Sequence, residues 1–235
     1  YDAFSDPPKI IAITGSNGKS TATALASHVL SKFFSDVEMG GNIGKPVLEL
    51  SPIKEGSIRL LELSSYQIEL AKNLAPNIAA FINFSSDHLQ RHGGLGGYFY
   101  AKARLFLENL IDMSVISIDT AEGLFLYQRL NNTENKIIAI STKVDLKDYL
   151  WGVGLKGYFI TEWKKGRQVY SFDLRVLDHN FLILRETLLV VYALARTLGI
   201  APKNILSNCA GFKPLAHRNE SVDVIDGVTF VNDSK

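Results

Sequence analysis

The sequence predicts an α/β protein whose sheet is mostly parallel and of P-loop type, with helices on both faces and a small antiparallel addition at one edge. Three observations lead there. Apolar strand-like runs alternate with helical patterns, those runs are apolar throughout, and one of them ends in the glycine-rich turn "TGSNGKST" just before a helix. A strand apolar on both sides has to be buried on both, which is the condition of a parallel sheet covered by helices.

The strand-like runs fall at residues 9–14, 58–63, 77–84, 114–118 and 136–140, and the helical patterns at about 20–34, 98–111, 121–130 and 185–198. From 157 to 177 the text changes to two strands joined by the polar turn Lys164-Lys165-Gly166, which is the expected edge addition. After "AGFKPLAHRNE" two short strands, 222–225 and 228–231, flank Asp226-Gly227. Two strands cannot bury a core alone. Residues 1–212 are therefore read as one domain and residues 213–235 as the opening of a second, incomplete one. The chain begins at Tyr1, and more sequence upstream is expected.

Composition narrows the function. The chain has 235 residues, 46% apolar and 21% charged, enough to bury one good core. Lys and Arg number 25 against 24 Asp and Glu, so the net charge of +1 gives no general field for nucleic acid or an anionic membrane. A polyanion has to be met by a local site. The single cysteine, Cys209, fits a reducing compartment. The most apolar stretch, 181–200, is interrupted by Arg185, Glu186 and Arg196 and is too polar to span a membrane. No signal peptide opens the chain, and the expectation is a cytoplasmic protein without membrane insertion.

A strand ending in Gly-x-x-Gly-Lys-Ser and running into a helix offers backbone N–H groups and a helix N-terminus to phosphate oxygens. Gly15 and Gly18 permit positive φ and close backbone approach, Lys19 supplies a charge for the β and γ phosphates, and the Ser20 hydroxyl can ligate Mg²⁺. Ser16, Asn17 and Thr21 complete the nucleotide loop. The turn lacks the extra glycine that a usual P-loop has at the position of Ile13. The alternative is a plain strand-to-helix turn with Lys19 in solvent. A metal also needs carboxylates or imidazoles at the carboxyl ends of neighbouring strands. Glu62, near the end of "SIRLLELSSYQIEL", is placed there, although a Glu in an apolar strand is also an edge residue or a buried ion-pair partner. Asp87 and His88 follow a buried strand and read as a turn or as ligands. Lys102 and Arg104 lie on an amphipathic helix, where solvated side chains are the ordinary reading.

Taken in order, "TGSNGKST", "GGNIGKP", "LELSSYQIE", "SSDHLQRHGG", "YAKARLF" and "AHRNE" with "NDSK" resemble the Mur ligase superfamily over residues 9–235. "GGNIG" followed by "LELSSYQIE" resembles its D-glutamate-adding branch. The resemblance implies an ATP-dependent amide ligase of peptidoglycan precursor synthesis. ATP phosphorylates the carboxylate of UDP-N-acetylmuramoyl-L-alanine, and the amine of D-glutamate attacks the acyl phosphate. It also implies two Mg²⁺ ions, one on Ser20 and Glu62 and one on His88, the latter supported by a carbamylated Lys102. Lys19, Glu62, His88 and Lys102 become the catalytic set. Asn42, Ser64, Gln67 and His88 are expected on the acceptor, with Gly40 and Gly41 letting that loop approach it. Arg218 is expected on the nucleotide phosphates and Asp233 on the ribose, with Lys235 in the same motif. Partners are small molecules, with no nucleic acid, and the protein is expected as a monomer.

The sequence departs from the family at several points. His179-Asn180 lies further from the following helix than in relatives, and Thr187 takes the place of a second asparagine. Gln90 replaces an acidic residue, and Asn219 replaces an aromatic one. Two other readings stay open at this point: another ligase of the superfamily, such as a folylpolyglutamate synthase, or a truncated non-catalytic nucleotide-binding module.

Overall fold

A computed structural model describes residues 8–133, 135–177, 184–213, 215 and 220–232. Its strands are β1 (Lys9–Thr14), β2 (Val37–Gly41), β3 (Ile58–Glu62), β4 (Ile78–Phe81), β5 (Met113–Ser117), β6 (Lys136–Ser141), β7 (Trp151–Lys156), β8 (Phe159–Lys164) and β9 (Arg167–Asp173). They form one nine-stranded sheet in the order β2-β3-β1-β4-β5-β6-β7-β8-β9. Every pair from β2 to β7 is parallel, and β7-β8-β9 is antiparallel. A separate two-stranded sheet joins β10 (Glu220–Ile225) to β11 (Val228–Asn232). Val224, Val228 and Phe230 of that hairpin are exposed.

The helices are α1 (Lys19–Leu30), α2 (Ser65–Leu70), α3 (Leu89–His92), α4 (Leu95–Leu107), α5 (Ala121–Asn131), α6 (Arg185–Thr197) and α7 (Pro202–Ser207). Strand alternation sorts the core into two layers. Ile11 and Ile13 of β1 face one side, packed with Leu25, Val29, Leu188 and Tyr192 from α1 and α6. Ala12 faces the other side, with Ile68, Phe106 and Leu126 from α2, α4 and α5. Burial on both faces accounts for the uninterrupted apolar text of the strands.

The five strands read from periodicity are present. The run expected at 77–84 is shorter, because the chain leaves the sheet after Phe81 and turns over the end of β1. Two strands escaped the reading, and both contain glycines that mimic turns. Gly40 and Gly41 sit in β2, where an added Cβ would strike the backbone of Lys45 or Glu62. Their small size serves strand packing. In β7, an added Cβ at Gly152 would meet Leu146 at 2.5 Å.

The edge addition is tied down by a buried carboxylate. Glu162 of β8 is fully buried and accepts hydrogen bonds from Trp151 Nε1 (3.0 Å), Tyr192 Oη (2.7 Å) and Arg196 Nε (2.9 Å). Both of its oxygens are paired, so the charge is compensated and β7, β8 and α6 share one anchor.

Strand order also positions the site. From β1 the chain builds β2 and β3 on one side and then crosses to β4 and beyond on the other. The carboxyl end of β1 is therefore the switch point, where open α/β sheets bind ligands.

Candidate functional site

The "GSNGKST" turn occupies that switch point. Gly18 is the N-cap of α1 with φ +73°, and an added Cβ there meets nothing within 4 Å, so its glycine answers a backbone conformation alone. Gly15 does not have a positive φ, which corrects the expectation for that residue. Its reason is proximity, since an added Cβ would lie 2.6 Å from Ile82 Cγ1 and 3.2 Å from the Asn83 carbonyl oxygen. The first intrahelical bond of α1 runs from Ala22 N to Gly18 O (2.9 Å), leaving the N–H groups of the first turn directed out of the helix end. Lys19 Nζ donates to the Ser16 carbonyl (2.9 Å). Ser20 and Thr21 are buried in that first turn.

Glu62 ends β3, opposite Ile13 of β1 in the parallel register and opposite Gly41 of β2. It stands at the same sheet edge as the loop. Its side chain is buried, with Oε1 accepting from Asn42 Nδ2 (3.3 Å), while Oε2 is buried without a hydrogen-bond partner. Asn42 N also donates to the Glu62 carbonyl (2.9 Å), so the "GGNIG" segment is docked on this residue. An orphaned buried carboxylate oxygen is unstable unless a cation or donor reaches it. That is the fit expected of a divalent-metal ligand beside a phosphate loop. Among the described residues no three His, Cys, Asp or Glu side chains form a ready cage. A cation held here would take its remaining oxygens from phosphate and water, as Mg²⁺ does.

Ser64 and Gln67 are engaged locally. Gln67 N donates to Ser64 Oγ (3.2 Å) and Ser64 N donates to Gln67 Oε1 (2.9 Å), a reciprocal cap on α2. His88 is half exposed with φ +50°, its Nε2 3.4 Å from Asp87 Oδ2. Its ring lies edge-on to Tyr66 and Tyr98, at 5.2 and 6.2 Å between centroids.

Lys102 is not the solvated lysine that an amphipathic helix suggests. It is 1% exposed, donates from Nζ to the Gly15 carbonyl (2.8 Å), and lies 4.5 Å from the centre of the Tyr98 ring. Burial pulls its pKa from 10.5 to about 7, and the Lys19 charge pushes the same way against Asp87. Near neutral pH a large share of this amine is uncharged and nucleophilic. Arg104, two residues on, pairs outward with Glu108 at 2.9 Å.

Several residues that the sequence reading passed over hold the site together. Asn83 follows β4, and its side chain accepts from Ser16 N (3.0 Å) and Asn17 N (2.9 Å) while donating to Asn17 O (2.9 Å). Ser85 N donates to Ser16 Oγ (2.9 Å). Tyr98 Oη lies 3.3 Å from Ser16 Oγ. His92 places Nε2 3.0 Å from Ser65 Oγ and packs on Tyr98, linking α2 to the loop. The one sequence signal was a polar residue interrupting the apolar text of "FINF", four positions before Asp87.

Beside the loop, a cleft of about 350 Å³ opens along the carboxyl ends of β4, β5 and β6. Asn17, Gly18, Asn83, Asp119, Lys143 and Thr187 line it. Thr187, where the resemblance implies an asparagine, thus borders the cleft. Arg218, Asp233, Lys235, Asn180 and Asn219 lie outside the described residues.

A phosphate loop at the switch point of a parallel sheet, with a cleft on one side and, on the other, a buried carboxylate with one oxygen unpartnered, defines a P-loop nucleotide-binding protein of the α/β class. Residues 13–166 match the Mur ligase middle domain, and the chain belongs to that family. It is 46% identical to a UDP-N-acetylmuramoylalanine–D-glutamate ligase of Cereibacter sphaeroides, over all of this chain and 51% of that protein. With the ligase of the same name from Ruegeria pomeroyi the identity is 43%, at the same coverage. The chain spans about half the length of these curated relatives. Its fold is similar to that of a UDP-N-acetylmuramoyl-L-alanyl-D-glutamate–2,6-diaminopimelate ligase, with TM-score 0.72 and 23% identity over 94% of this chain and 50% of the other. It is also similar to UDP-N-acetylmuramate-alanine ligase from Thermotoga maritima, with TM-score 0.65 and 18% identity over 97% of this chain and 50% of that one. No helix among the described residues is long and apolar enough to cross a membrane.

Proposed function

We propose that this chain is the ATP-binding part of a ligase that joins D-glutamate to UDP-N-acetylmuramoyl-L-alanine in peptidoglycan precursor synthesis, acting as a monomer in the cytoplasm. The observation that carries the reading is the docking of Asn42 onto Glu62. It joins the "GGNIG" text typical of the D-glutamate-adding branch to a buried carboxylate with one free oxygen, at the edge that holds the phosphate loop. The names of relatives 43–46% identical over the chain supply the substrate class.

In this reading the acceptor carboxylate attacks the γ-phosphorus of ATP and ADP leaves. The amine of D-glutamate then attacks the acyl carbon, phosphate leaves, and the amine proton passes to solvent. Two Mg²⁺ ions, when bound, neutralise the triphosphate and the acceptor carboxylate, which otherwise repel one another. Lys19 and the first-turn N–H groups of α1 hold phosphate oxygens. Ser20 and Glu62 hold one cation. His88 and Lys102 serve the second, with Lys102 as a carbamate formed when its neutral amine adds to CO₂ and releases a proton. Asn42, Ser64 and Gln67 meet the acceptor, Arg218 the phosphates and Asp233 the ribose, and residues 213–235 open a further domain.

The test is ATP-dependent phosphate release by the full-length protein with defined acceptors. Release that requires both UDP-N-acetylmuramoyl-L-alanine and D-glutamate, and fails with L-glutamate or a folate acceptor, is the expected result. Turnover with the folate acceptor moves the protein to another ligase of the superfamily. Nucleotide binding without turnover on any acceptor makes it a binding module.

A further inference from the structure

We propose that Asn83 is the positioning residue of the phosphate loop, dividing its N–H groups into a braced half and a ligand-facing half. The inference rests on the nucleotide-site reading above and deepens it. Asn83 Oδ1 accepts from both Ser16 N and Asn17 N, and its Nδ2 returns a bond to Asn17 O (3.0, 2.9 and 2.9 Å). The Ser16 N–H also points at the Asn83 carbonyl oxygen (3.3 Å). Asparagine suits this task by its chemistry: one carboxamide presents an acceptor with two lone pairs and a donor in one plane, and it adds no charge. An aspartate would offer the acceptors but set a negative charge against the triphosphate.

The consequence is a division of labour along the turn. The N–H groups of Ser16 and Asn17 are occupied by protein, whereas those of residues 18 to 21 precede the first intrahelical bond, Ala22 to Gly18. Phosphate oxygens therefore meet the downstream half. Asn83 fixes where that half points, because it grips the two residues just before Gly18. Gly15 closes the arrangement, since an added Cβ there would collide with Ile82 and Asn83 and push the strand ends apart. Asn83 also lines the adjoining cleft, so it lies beside the ligand while its polar atoms face the loop.

A loop that has lost this brace must order itself on binding, and the cost falls on ligands whose β-phosphate sits in the turn. Three lost hydrogen bonds of ordinary strength correspond to a weakening of about 10- to 100-fold. The test is calorimetric titration of the wild-type chain, Asn83→Ala and Asn83→Asp with ATP, ADP and AMP in magnesium buffer, alongside thermal unfolding of each protein without ligand. The expected result is a loss of about 10- to 100-fold for ATP and ADP in Asn83→Ala, with AMP changed less than threefold. Asn83→Asp keeps the two acceptors and hence the fold, and it weakens ATP more at low salt than at high salt. Equal losses for all three nucleotides, or no loss, overturn the proposal. A wild-type chain that binds none of the three removes the nucleotide-site reading itself, a distinct result seen before any variant is compared.

Discussion

Replacing Lys102 by methionine is expected to stabilise the nucleotide-free chain at neutral pH while abolishing ligation. The Lys102 ammonium is 1% exposed and has its pKa pulled from 10.5 to about 7, chiefly by burial. The unfolded chain holds that proton up to its ordinary pKa, so between pH 7 and 10.5 the unfolded state carries more protons than the folded one. Stability therefore rises with pH across that window, and the penalty is complete below it. At about 1.4 kcal/mol for each tenfold change in proton affinity, the penalty is about 5 kcal/mol in acid and about 4 kcal/mol at pH 7, where half of the folded molecules are already neutral. Methionine removes the penalty and fills similar volume, but it leaves the Gly15 carbonyl without its donor, at a cost of about 1–3 kcal/mol. The net expectation is a gain of about 1–3 kcal/mol at pH 7. Urea denaturation of both proteins side by side, in CO₂-depleted buffer at pH 7 and pH 10, reads this directly. The advantage of the variant should fall by about 3 kcal/mol between the two pH values. A variant less stable than wild type at pH 7, or a difference flat with pH, refutes the account of a buried, strained cation. If Lys102 acts as the carbamate of the proposed mechanism, acetate should restore part of the lost activity in the full-length enzyme, because it would supply the carboxylate that the methionine variant cannot form.

Glu62→Gln should reduce magnesium-dependent ATP affinity at least tenfold while leaving the unfolding midpoint unchanged or raised, since the buried Oε2 atom has no hydrogen-bond partner to lose. Titration with and without magnesium checks it, and an unaltered magnesium dependence would exclude Glu62 as the ligand. Gly18→Ala should cost about 1–2 kcal/mol through its φ of +73° alone, and Gly15→Ala more, because the added Cβ would meet Ile82 at 2.6 Å. Denaturation of the pair tests that order, and a milder Gly15→Ala would falsify the packing assigned here. Glu162→Ala, which leaves the buried Tyr192 and the partly buried Arg196 unmatched, should lower stability by about 3–5 kcal/mol without altering nucleotide affinity. A loss below 1 kcal/mol would mean that the edge addition is held in some other way.

What the sequence reveals and what it hides follow one physical rule. Strands buried on both faces announce themselves as continuous apolar text, and β1 is read to the residue, Lys9 to Thr14. Strand β2 ends in Met39-Gly40-Gly41, and its glycines carry a turn signal although their function is close packing against Lys45 and Glu62. Helix α2 has six residues and α3 four, too short for a 3.6-residue period to repeat. The phosphate loop is legible because its chemistry is contiguous, with glycines, lysine and serine in one turn. Asn83 gains meaning only by meeting Asn17 across 66 residues, and Tyr98 by meeting Ser16 across 82. No local pattern can carry such contacts, since they exist only once β4 and α4 have been placed beside β1.

The same placement makes the two sides of the loop unequal, and the inequality bears on where the proposed cation would be held. On the β4 side every polar group of the turn that Asn83, Ser85 or Tyr98 reaches is answered by protein. On the side of α4 the Gly15 carbonyl takes the Lys102 amine. Toward β3, among the described residues, the Oε2 of Glu62 stands buried with no hydrogen-bond partner. Leaving it so costs the folded chain free energy, which a ligand that brings its own positive charge recovers on binding. A triphosphate accompanied by Mg²⁺ brings that charge and the anion for Lys19 together. In the proposed reading the metal would therefore be held between the first turn of α1 and the end of β3, and the nucleotide base would lie on the opposite flank, in the cleft along β4 to β6.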